Sequence, residues 1–476
     1  MCGIVGYVGG RQATPILMAG LKRLEYRGYD SAGVALLNGQ GVKVLKKPGK
    51  IRVLEEAIES TPHEGTCGIA HTRWATHGAP NEPNAHPHTS TNGDIALVHN
   101  GIIENADVLR KQLTAEGYCF SSETDTEVVV HLIDFLWKQG PLENAVAAAL
   151  REVDGAYGIA VVSSRDPNKI VVARNGSPLL IGVGQDGEML AGSDAAAVIE
   201  RTRDVVYLDD GDYAVLTPDG YRTYHLEGHE VDRGIHEVTW DLDAIEKGGF
   251  DHFMLKEIYE QPSSLADVMR GRLLPDDGNA RLGGITEHQF DLGRIQRIVI
   301  TACGTSWHAG LVGEYMLEEL AGIPVSVEYA SEFRYRNAVL EDGTLTLAIS
   351  QSGETADTLA ALRESRQRGM KTMGIVNAVG STIARETDFG IYLHAGPEIG
   401  VASTKAFTSQ LVALSLFTLF MARRREMSAL EGAEIVQHLQ VLPSQVEEVL
   451  KLNDEIRDLA AEYGDARNFL YLGRGY

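Results

Sequence analysis

The chain opens with MCGIVGYVGG, residues 1–10, in which a cysteine and a glycine lead directly into an apolar strand. Removal of Met1 would leave Cys2 with a thiol and a free α-amino group on one carbon. An α-amino group titrates near pKa ~7.7–8.0 and can therefore accept the proton of its own thiol at neutral pH. Gly3 lets a substrate approach the backbone closely. These features predict a nucleophilic Cys2, and the alternative is an incidental small residue at a frayed terminus.

Length and charge limit the possible functions. A chain of 476 residues is too long for one hydrophobic core, and about three domains of ~150 residues are expected. Hydrophobic residues make up 44% and charged residues 23%, which is typical of a soluble globular protein. The formal net charge of −23 argues against a nucleic-acid partner, because phosphate backbones require a basic surface. Small anions can still bind at local sites.

Cysteine usage and apolar runs indicate the compartment. The four cysteines, which show no CxxC spacing, are Cys2, Cys67, Cys119 and Cys303. This pattern favours neither zinc nor disulfides and predicts a reducing cytoplasm. The longest apolar run, LVALSLFTLFMA at 411–422, is shorter than the ~20 residues that span a membrane. It predicts a buried helix, and no membrane partner is expected.

The residue pattern changes once along the chain. Residues 2–223 contain short, often alternating segments with a few helices, which predict an α+β domain of layered, mostly antiparallel sheets. Residues 224–250 are charged and aperiodic and predict a linker. From 251 to 442 the order is strand, loop, helix, and continuous β-branched runs such as RIVITA predict an α/β doubly wound parallel sheet.

Hydroxyl-rich turns follow the strands of the second domain, where ligands bind in such sheets. The turns are Cys303-Gly304-Thr305-Ser306, Ser350-Gln351-Ser352-Gly353-Glu354-Thr355 and ASTKAF at 402–407. They match neither GxGxxG nor GxxxxGK[ST], so no dinucleotide or nucleotide is indicated. Hydroxyls and N–H groups at helix N-termini suit a single phosphate. The alternative is that each turn is an ordinary N-cap, with Ser403 or Thr404 capping the apolar helix.

Polar residues that could serve Cys2 follow apolar strands of the first domain. The Asn100 side-chain amide and the Gly101 N–H, in VHNGIIEN at 98–105, could stabilise a tetrahedral oxyanion. Asn-Gly is also a common turn, which is the alternative. Arg73, in HTRWATHG at 71–78, offers a fork for a carboxylate, and Asp125 offers a partner for an ammonium. Together Arg73 and Asp125 would hold an α-amino acid by its head group.

Four histidines of this region raise the question of a metal. They are His71, His77, His86 and His88. Their spacing matches no common ligand pattern, so support of the pocket is expected, with no metal and no cofactor.

Several stretches resemble known families. Those similar to the glutaminase domain of class II glutamine amidotransferases, an N-terminal-nucleophile fold, are CGIVGY (2–7), LEYRGYDSAG (24–33), HTRWATHG, NAHPH (84–88), VHNGIIEN and SETDTE (122–127). Those that resemble the sugar isomerase (SIS) domains of the glucosamine-6-phosphate synthase family are ACGTS (302–306), SEFRY (331–335), SQSGETADT (350–358) and EIGVASTKAFTSQ (398–410).

This resemblance implies roles for matching residues. Cys2 would attack the side-chain amide of glutamine, while Asn100 and Gly101 stabilise the oxyanion and Arg73 and Asp125 bind the head group. Residues implied in the rest of the glutamine pocket are Trp74, as the gate of an ammonia channel, and Thr76, His77 and His86. Residues implied in the sugar-phosphate site are Cys303, Thr305, Ser306, Ser350, Gln351, Ser352, Thr355, Val401 and Ser403.

The resemblance also implies an activity. It is the synthesis of glucosamine 6-phosphate from fructose 6-phosphate with nitrogen from glutamine, the first step of hexosamine synthesis, without a cofactor and in a homodimer formed through the SIS domains. One alternative is another class II amidotransferase, although those carry ribosyl-diphosphate, nucleotide or flavin machinery in place of SQSGETADT. A second is a glutaminase joined to a SIS module that only senses a sugar phosphate.

The carboxyl-terminal segment departs from the family pattern. NFLYLGRGY at 468–476 resembles the first strand of a second SIS domain, which is predicted to begin at 443 and to be truncated. The family carries its isomerisation residues and its Schiff-base lysine beyond this point. A third alternative is therefore a chain with glutaminase activity only.

Overall fold

The computed structural model describes residues 2–25, 28, 30–38, 41–60, 64–73, 79–238, 247–286 and 292–474. Trp74, Thr76 and His77 lie outside the described residues. The chain divides into two units, Met1–Leu242 and Asp243–Tyr476.

The first unit contains two antiparallel sheets. Its strands are β1 (Gly3–Val8), β2 (Ser31–Asn38), β3 (Gly41–Pro48), β4 (Cys67–Arg73), β5 (His88–Thr89), β6 (Ile95–Ile103), β7 (Gly155–Ser163), β8 (Ile170–Asn175), β9 (Leu180–Val183), β10 (Met189–Gly192), β11 (Asp204–Tyr207), β12 (Asp212–Thr217), β13 (Gly220–His225), β14 (Glu230–Val231) and β15 (His236–Glu237). The first sheet has the order β15-β11-β9-β10-β1-β4-β2-β3, and the second has the order β14-β13-β12-β8-β7-β6-β5. Within each sheet the paired strands run antiparallel, as predicted.

Side-chain alternation explains why the two sheets face each other. Every second residue of a strand points to the same face. Ile4, Ile69 and Val98, from β1, β4 and β6, belong to one buried cluster between the sheets. Helices cover the outer faces: they are α1 (Ala13–Leu24), α2 (Ile51–Ser60), α3 (Ala106–Ala115), α4 (Asp125–Leu136) and α5 (Leu142–Arg151). A second cluster joins α3–α5 to β6–β8, so this unit is layered as helices, sheet, sheet, helices.

The second unit is built on a parallel sheet. Its strands are β16 (Leu273–Leu274), β17 (Asn279–Ala280), β18 (Arg297–Ala302), β19 (Val325–Tyr329), β20 (Thr344–Ser350), β21 (Lys371–Val376) and β22 (Phe389–Tyr392). Its helices are α6 (Phe253–Tyr259), α7 (Gln261–Met269), α8 (Gly283–Thr286), α9 (Gly304–Ala321), α10 (Ala330–Phe333), α11 (Ala356–Gln367), α12 (Thr382–Glu386), α13 (Lys405–Ala422), α14 (Ala429–Leu450) and α15 (Asn453–Glu462). The main sheet has the order β19-β18-β20-β21-β22, and its paired strands run parallel. The predicted doubly wound class is confirmed.

Helix α13 is the predicted buried helix. By length and composition it could cross a membrane, but 78% of it is buried inside the protein. Leu414, Phe417 and Phe420 lie in the main core of the second unit, and α13 packs against α7 and α9. The run is therefore apolar on all sides because it is a core helix.

Two segments differ from the sequence-based boundaries. The linker predicted at 224–250 begins later, because β14 pairs with β13 and β15 pairs with β11 within the first unit. Edge strands this short and this exposed show little alternation, which is why their sequence is aperiodic. The boundary at 443, predicted as the start of a second SIS domain, falls inside α14, which continues through Pro443 to Leu450. The strand expected in NFLYLGRGY is not formed in its described part, 468–474, whose residues are exposed.

Candidate active sites

The first candidate site lies where β1 and β6 bring Cys2 and Asn100 together. Cys2 directly precedes β1, and Asn100 lies near the end of β6 in the facing sheet. The Asn100 Nδ2 donates a hydrogen bond to the backbone O of Cys2 at 3.0 Å. Cys2 is partly exposed and forms no disulfide with the described cysteines. Residues 98 positions apart in the chain therefore meet at one end of the double sheet.

Gly101 occupies a position that only glycine can fill without rearrangement. Its φ is +136°, a value that residues with a Cβ rarely adopt. A Cβ built there would lie 2.0 Å from the O of Ala156 on β7. The Asn-Gly pair lies within β6, paired with β7, so it is not the hairpin turn that was the alternative.

Arg73 and Asp125 are both buried at this end of the unit. Arg73 is the last residue of β4, and Gly3 of β1 pairs with Thr72 beside it. Asp125 is the first residue of α4, and its Oδ2 accepts a hydrogen bond from the backbone N of Ile103 at 2.8 Å. The carboxylate is thus fixed beside the end of the strand that carries Asn100.

Buried histidines lie behind the Cys2 site. The His71 and His86 rings stack with centroids 4.2 Å apart, and His86 meets His88 edge-on at 4.8 Å. Burial lowers the pKa of all three, to about 3 for His71. The His86 Nε2 lies 2.9 Å from the Thr126 Oγ1. Neutral, closely packed rings of this kind could form a pocket wall, and their role in a glutamine pocket stays a prediction.

The other cysteines differ from Cys2 in environment. Cys67 is buried in β4, and burial raises the pKa of its thiol to about 12. A thiol with that pKa carries almost no thiolate at neutral pH. Cys119 is exposed on a loop, and Cys303 belongs to the second unit.

The second candidate site lies at the point where the strand order of the parallel sheet reverses. From β18 the chain passes to β19 on one side and then to β20 on the other. Ligands of doubly wound sheets bind in the crevice outside the carboxyl ends of such a pair of strands. Cys303 follows β18 and Ser350 ends β20, so both predicted turns lie there. The Thr358 Oγ1, on α11, donates to the Cys303 Sγ at 3.9 Å.

Hydroxyl groups converge in the turn between β20 and α11. The Ser350 Oγ accepts from the backbone N of Gly353 at 3.0 Å and lies 3.1 Å from the Thr355 Oγ1. The Ser352 Oγ accepts from the backbone N of Glu354 at 3.2 Å. Thr355 is the N-cap of α11, yet its side chain makes no capping bond to the described residues. The turn is therefore not an ordinary N-cap, and its hydroxyls suit an anion at a helix N-terminus.

The third predicted turn is capped differently from the expectation. Thr404 is the N-cap residue of α13, but among the described residues neither its side chain nor that of Ser403 makes a capping bond to the helix. The Glu398 Oε1 instead accepts from the backbone N of Thr404 at 2.8 Å and of Ala406 at 3.1 Å. The Ser403 Oγ donates to the Glu398 Oε2 at 2.8 Å. A carboxylate occupies the positive end of this helix because it satisfies two N–H groups and complements the helix dipole.

Buried ionisable residues of α6 and α13 stabilise the loop that precedes α13. The sequence analysis did not identify them. Glu257 of α6 accepts from the backbone N of Ile399 at 2.5 Å and of Gly400 at 2.9 Å. Burial raises the pKa of this carboxyl. Lys405, also buried, donates to the Glu260 Oε2 at 2.7 Å. These contacts join residues more than 140 positions apart, and no local motif signals them.

The residues predicted to form the sugar site differ in burial and in the contacts that they make. The Ser306 Oγ is buried and accepts from the Gln410 Nε2 at 2.9 Å, which ties α9 to α13. Val401 is 83% exposed on the loop that Glu257 and Glu398 hold. The backbone O of Gln351 accepts from the N of Asn377 and of Ala378. Cys303 thus contacts Thr358 on the helix that follows the Ser350 turn, and Ser306 joins α9 to α13.

The fold and the sites define a class of protein. A candidate cysteine nucleophile at the end of a double antiparallel sheet, followed by a parallel sheet with anion-binding turns, is the combination of a class II glutamine amidotransferase domain with a SIS domain. Comparison with known families agrees. A glutamine amidotransferase domain matches residues 71–200, and a SIS domain matches residues 292–420.

Known proteins with similar sequences identify the family. The chain is 56% identical to a glutamine--fructose-6-phosphate aminotransferase [isomerizing] of Chlorobaculum tepidum, over 100% of this chain and 78% of that protein. It is 50% identical to one of Bacteroides thetaiotaomicron, with the same coverage. A solved C-terminal domain of glucosamine-fructose-6-phosphate aminotransferase from Francisella tularensis is 42% identical, with TM-score 0.47, over 48% of this chain and 65% of that one. The chain belongs to the isomerising glutamine–fructose-6-phosphate aminotransferase family.

Proposed function

We propose that the chain takes nitrogen from glutamine at Cys2 and delivers it to fructose 6-phosphate, giving glutamate and glucosamine 6-phosphate. The observation that carries the proposal is the hydrogen bond from the Asn100 Nδ2 to the backbone O of Cys2. It brings the proposed oxyanion donor to a cysteine that would carry an α-amino base once Met1 is removed. Membership of the aminotransferase family supports the overall reaction.

Glutamine hydrolysis would proceed in two halves. The Cys2 α-amino group takes the thiol proton while the sulfur attacks the side-chain carbonyl carbon of glutamine. The oxyanion that forms accepts hydrogen bonds from the Asn100 Nδ2 and the Gly101 N–H. The amino group then gives its proton to the departing ammonia, which leaves a thioester. Water hydrolyses the thioester to glutamate and restores the thiol.

Charge complementarity would hold the glutamine head group. The Arg73 guanidinium can donate two parallel bonds to the α-carboxylate. The Asp125 Oδ1 can accept from the α-ammonium, because the bond that Asp125 accepts from Ile103 uses the Oδ2. In this proposal Thr76 and His77 complete the pocket, and His86 backs it from its buried position.

The second unit would bind fructose 6-phosphate. Ser350, Gln351, Ser352 and Thr355, with the N-terminus of α11, are proposed to hold the phosphate, and Ser306 to belong to the same sugar-phosphate site. Residues proposed to line the sugar are Cys303, Thr305, Val401 and Ser403. Trp74 is proposed to gate the passage of ammonia. The chain is proposed to form a homodimer through the SIS domains. The protein is proposed to be cytoplasmic.

Product analysis tests the proposal against its alternatives. The chain is incubated with amide-labelled 15N-glutamine and fructose 6-phosphate, and glutamate and 15N-glucosamine 6-phosphate are measured separately. Amino sugar that contains the label supports the proposal. Glutamate without amino sugar favours glutaminase activity alone or a sugar-sensing module, and binding of fructose 6-phosphate by calorimetry separates those two. Absence of glutamate rejects the role of Cys2.

A further inference from the structure

The orientation of the Asn100 side chain matters because its two ends differ chemically. The Nδ2 is a donor and points to the backbone O of Cys2, while the Oδ1 is an acceptor and lies 3.0 Å from the His71 Nε2. A rotated amide would set its oxygen against the Cys2 oxygen and turn the donor away from Cys2. Some group must therefore hold the amide in the productive orientation.

The second partner of His71 determines which ring nitrogen carries the proton. The His71 Nε2 also lies 3.1 Å from the backbone O of His99, and a carbonyl oxygen can only accept. A bare Nε2 would face two oxygens without a hydrogen between them. The Nε2 therefore carries the proton and donates to both the His99 O and the Asn100 Oδ1.

The remaining nitrogen agrees with this tautomer. The His71 Nδ1 is buried and has no hydrogen-bond partner among the described residues. An N–H at that position would be an unsatisfied buried donor, whereas a bare nitrogen costs less. Burial lowers the pKa of the ring to about 3, so the imidazole stays neutral at physiological pH.

The position of the ring is also fixed. His71 pairs with Ile4 of β1 and with Gly33 of β2, in the interior of the first sheet. Its ring stacks on His86 at an interplanar angle of 29°, and the His86 Nε2 is anchored to the Thr126 Oγ1. The ring therefore has little freedom to rotate away from Asn100.

We propose that His71 is a positioning residue for glutamine hydrolysis, whose Nε2–H fixes the Asn100 amide with its NH2 group toward Cys2. This inference rests on the proposed glutaminase function. His71 touches no reacting atom, so its loss leaves the nucleophile and the head-group pocket in place and lowers only the stabilisation of the oxyanion.

The test compares His71 variants that differ in whether the side chain offers an N–H donor to Asn100. His71→Leu removes the donor while keeping an apolar side chain. His71→Gln places an amide NH2 near the former Nε2. For His71→Leu we expect kcat for glutamine hydrolysis to fall about 10- to 100-fold, somewhat less than the 10²–10³-fold loss typical when an oxyanion donor is removed. KM should stay within about threefold, and His71→Gln should recover part of kcat.

A matched control separates positioning from general damage to the folded unit. His131 of α4 is also buried, its ring packs against Phe120 with centroids 4.9 Å apart, and among the described residues it makes no hydrogen bond to Asn100. His131→Leu should lower the melting temperature to a similar degree and leave kcat near the wild-type value. Alkylation of Cys2 by iodoacetamide, followed on the amino-terminal peptide, should be equally fast in all variants.

The outcomes are distinct. If wild-type protein releases no glutamate, the proposed function fails. If the wild type is active and His71→Leu keeps its kcat, or His131→Leu loses as much, the His71 inference alone is wrong. Should His71→Leu fail to fold, His71→Gln and His71→Asn replace it, since the shorter Asn side chain cannot reach Asn100. Equal kcat in those two variants would then contradict the inference.

Discussion

The Glu398 carboxylate, rather than Thr404, caps the core helix α13: the backbone N of Thr404 donates to the Glu398 Oε1 at 2.8 Å. The same carboxylate receives the Ser403 hydroxyl. One side chain therefore fixes both the start of the helix and a residue proposed to line the sugar.

Loss of this cap should weaken the second unit and the sugar site together. Glu398→Ala removes the acceptor for two helix N–H groups, and a lost N-cap costs about 1 kcal/mol. We expect faster hydrogen exchange of the first-turn amides of α13 and a higher KM for fructose 6-phosphate. Glu426→Ala, an exposed carboxylate beyond the end of α13, is the control. Equal exchange in both variants would show that Glu398 is not the cap.

Substrate orientation at the first site depends on the fork geometry of Arg73. Arg73→Lys keeps the charge but loses the parallel pair of bonds, and a charge-assisted bond contributes ~1.5–3 kcal/mol. We expect kcat/KM for glutamine to fall at least about tenfold. Arg165→Lys, which alters a partly exposed ion pair with Asp134, should leave kcat/KM unchanged. An unaltered kcat/KM in Arg73→Lys would remove Arg73 from the carboxylate site.

The phosphate site should be separable from the glutaminase. Replacing Ser350 and Ser352 together by Ala removes two hydroxyls from the turn before α11. We expect at least tenfold weaker binding of fructose 6-phosphate by calorimetry, while glutamine hydrolysis without sugar is unchanged. Ser365→Ala, a buried hydroxyl later on α11, should not affect sugar binding. If the double variant binds fructose 6-phosphate like the wild type, these hydroxyls serve only the local turn.

The buried histidines should make the first unit sensitive to acid. Burial lowers the pKa of His71, His86 and His88 in the folded state, whereas in the unfolded chain each titrates near ~6.5. Their contribution to the free energy of unfolding is therefore complete above pH ~6.5 and is lost as the pH falls toward their pKa values in the folded state. Between pH 7.5 and 5 we expect a loss of about 2 kcal/mol per histidine in the free energy of unfolding.

Hydrogen exchange of the β4 and β6 amides measures this dependence. His88→Gln removes one titrating ring, so its unfolding takes up about one proton fewer than unfolding of the wild type. Below pH 6 the free energy of unfolding should therefore change with pH less steeply in the variant, by ~1.4 kcal/mol per pH unit. Identical pH slopes in wild type and variant would mean that His88 is not held neutral in the folded protein.

Much of the fold could be predicted because local patterns match it. Alternation in CGIVGYV and DIALVHNG predicts half-buried antiparallel strands, and continuous runs such as RIVITA predict strands covered on both faces. The order of the strands in the parallel sheet, and so the reversal between β18 and β20, depends on pairings that no single segment encodes.

The sites could be predicted only in part. Cys2, Asn100 and Ser350 stand in short motifs, so their types and neighbours suggested their chemistry. Glu257 and Glu398 stabilise the loop before α13 through contacts that exist only after folding. The sequence around a carboxylate in a helix or loop does not show that it will make such contacts. The donor role of the His71 Nε2 likewise depends on a carbonyl in the facing sheet.

The central claim, that glutamine is hydrolysed at Cys2, is tested most directly by glutamate release from Cys2→Ala beside Cys119→Ser, an exposed thiol that the account does not use. Intact mass first verifies that Met1 has been removed. The account predicts that Cys2→Ala folds, binds fructose 6-phosphate and releases no glutamate, while Cys119→Ser releases glutamate at the wild-type rate. Glutamate release by Cys2→Ala at the wild-type rate would contradict it.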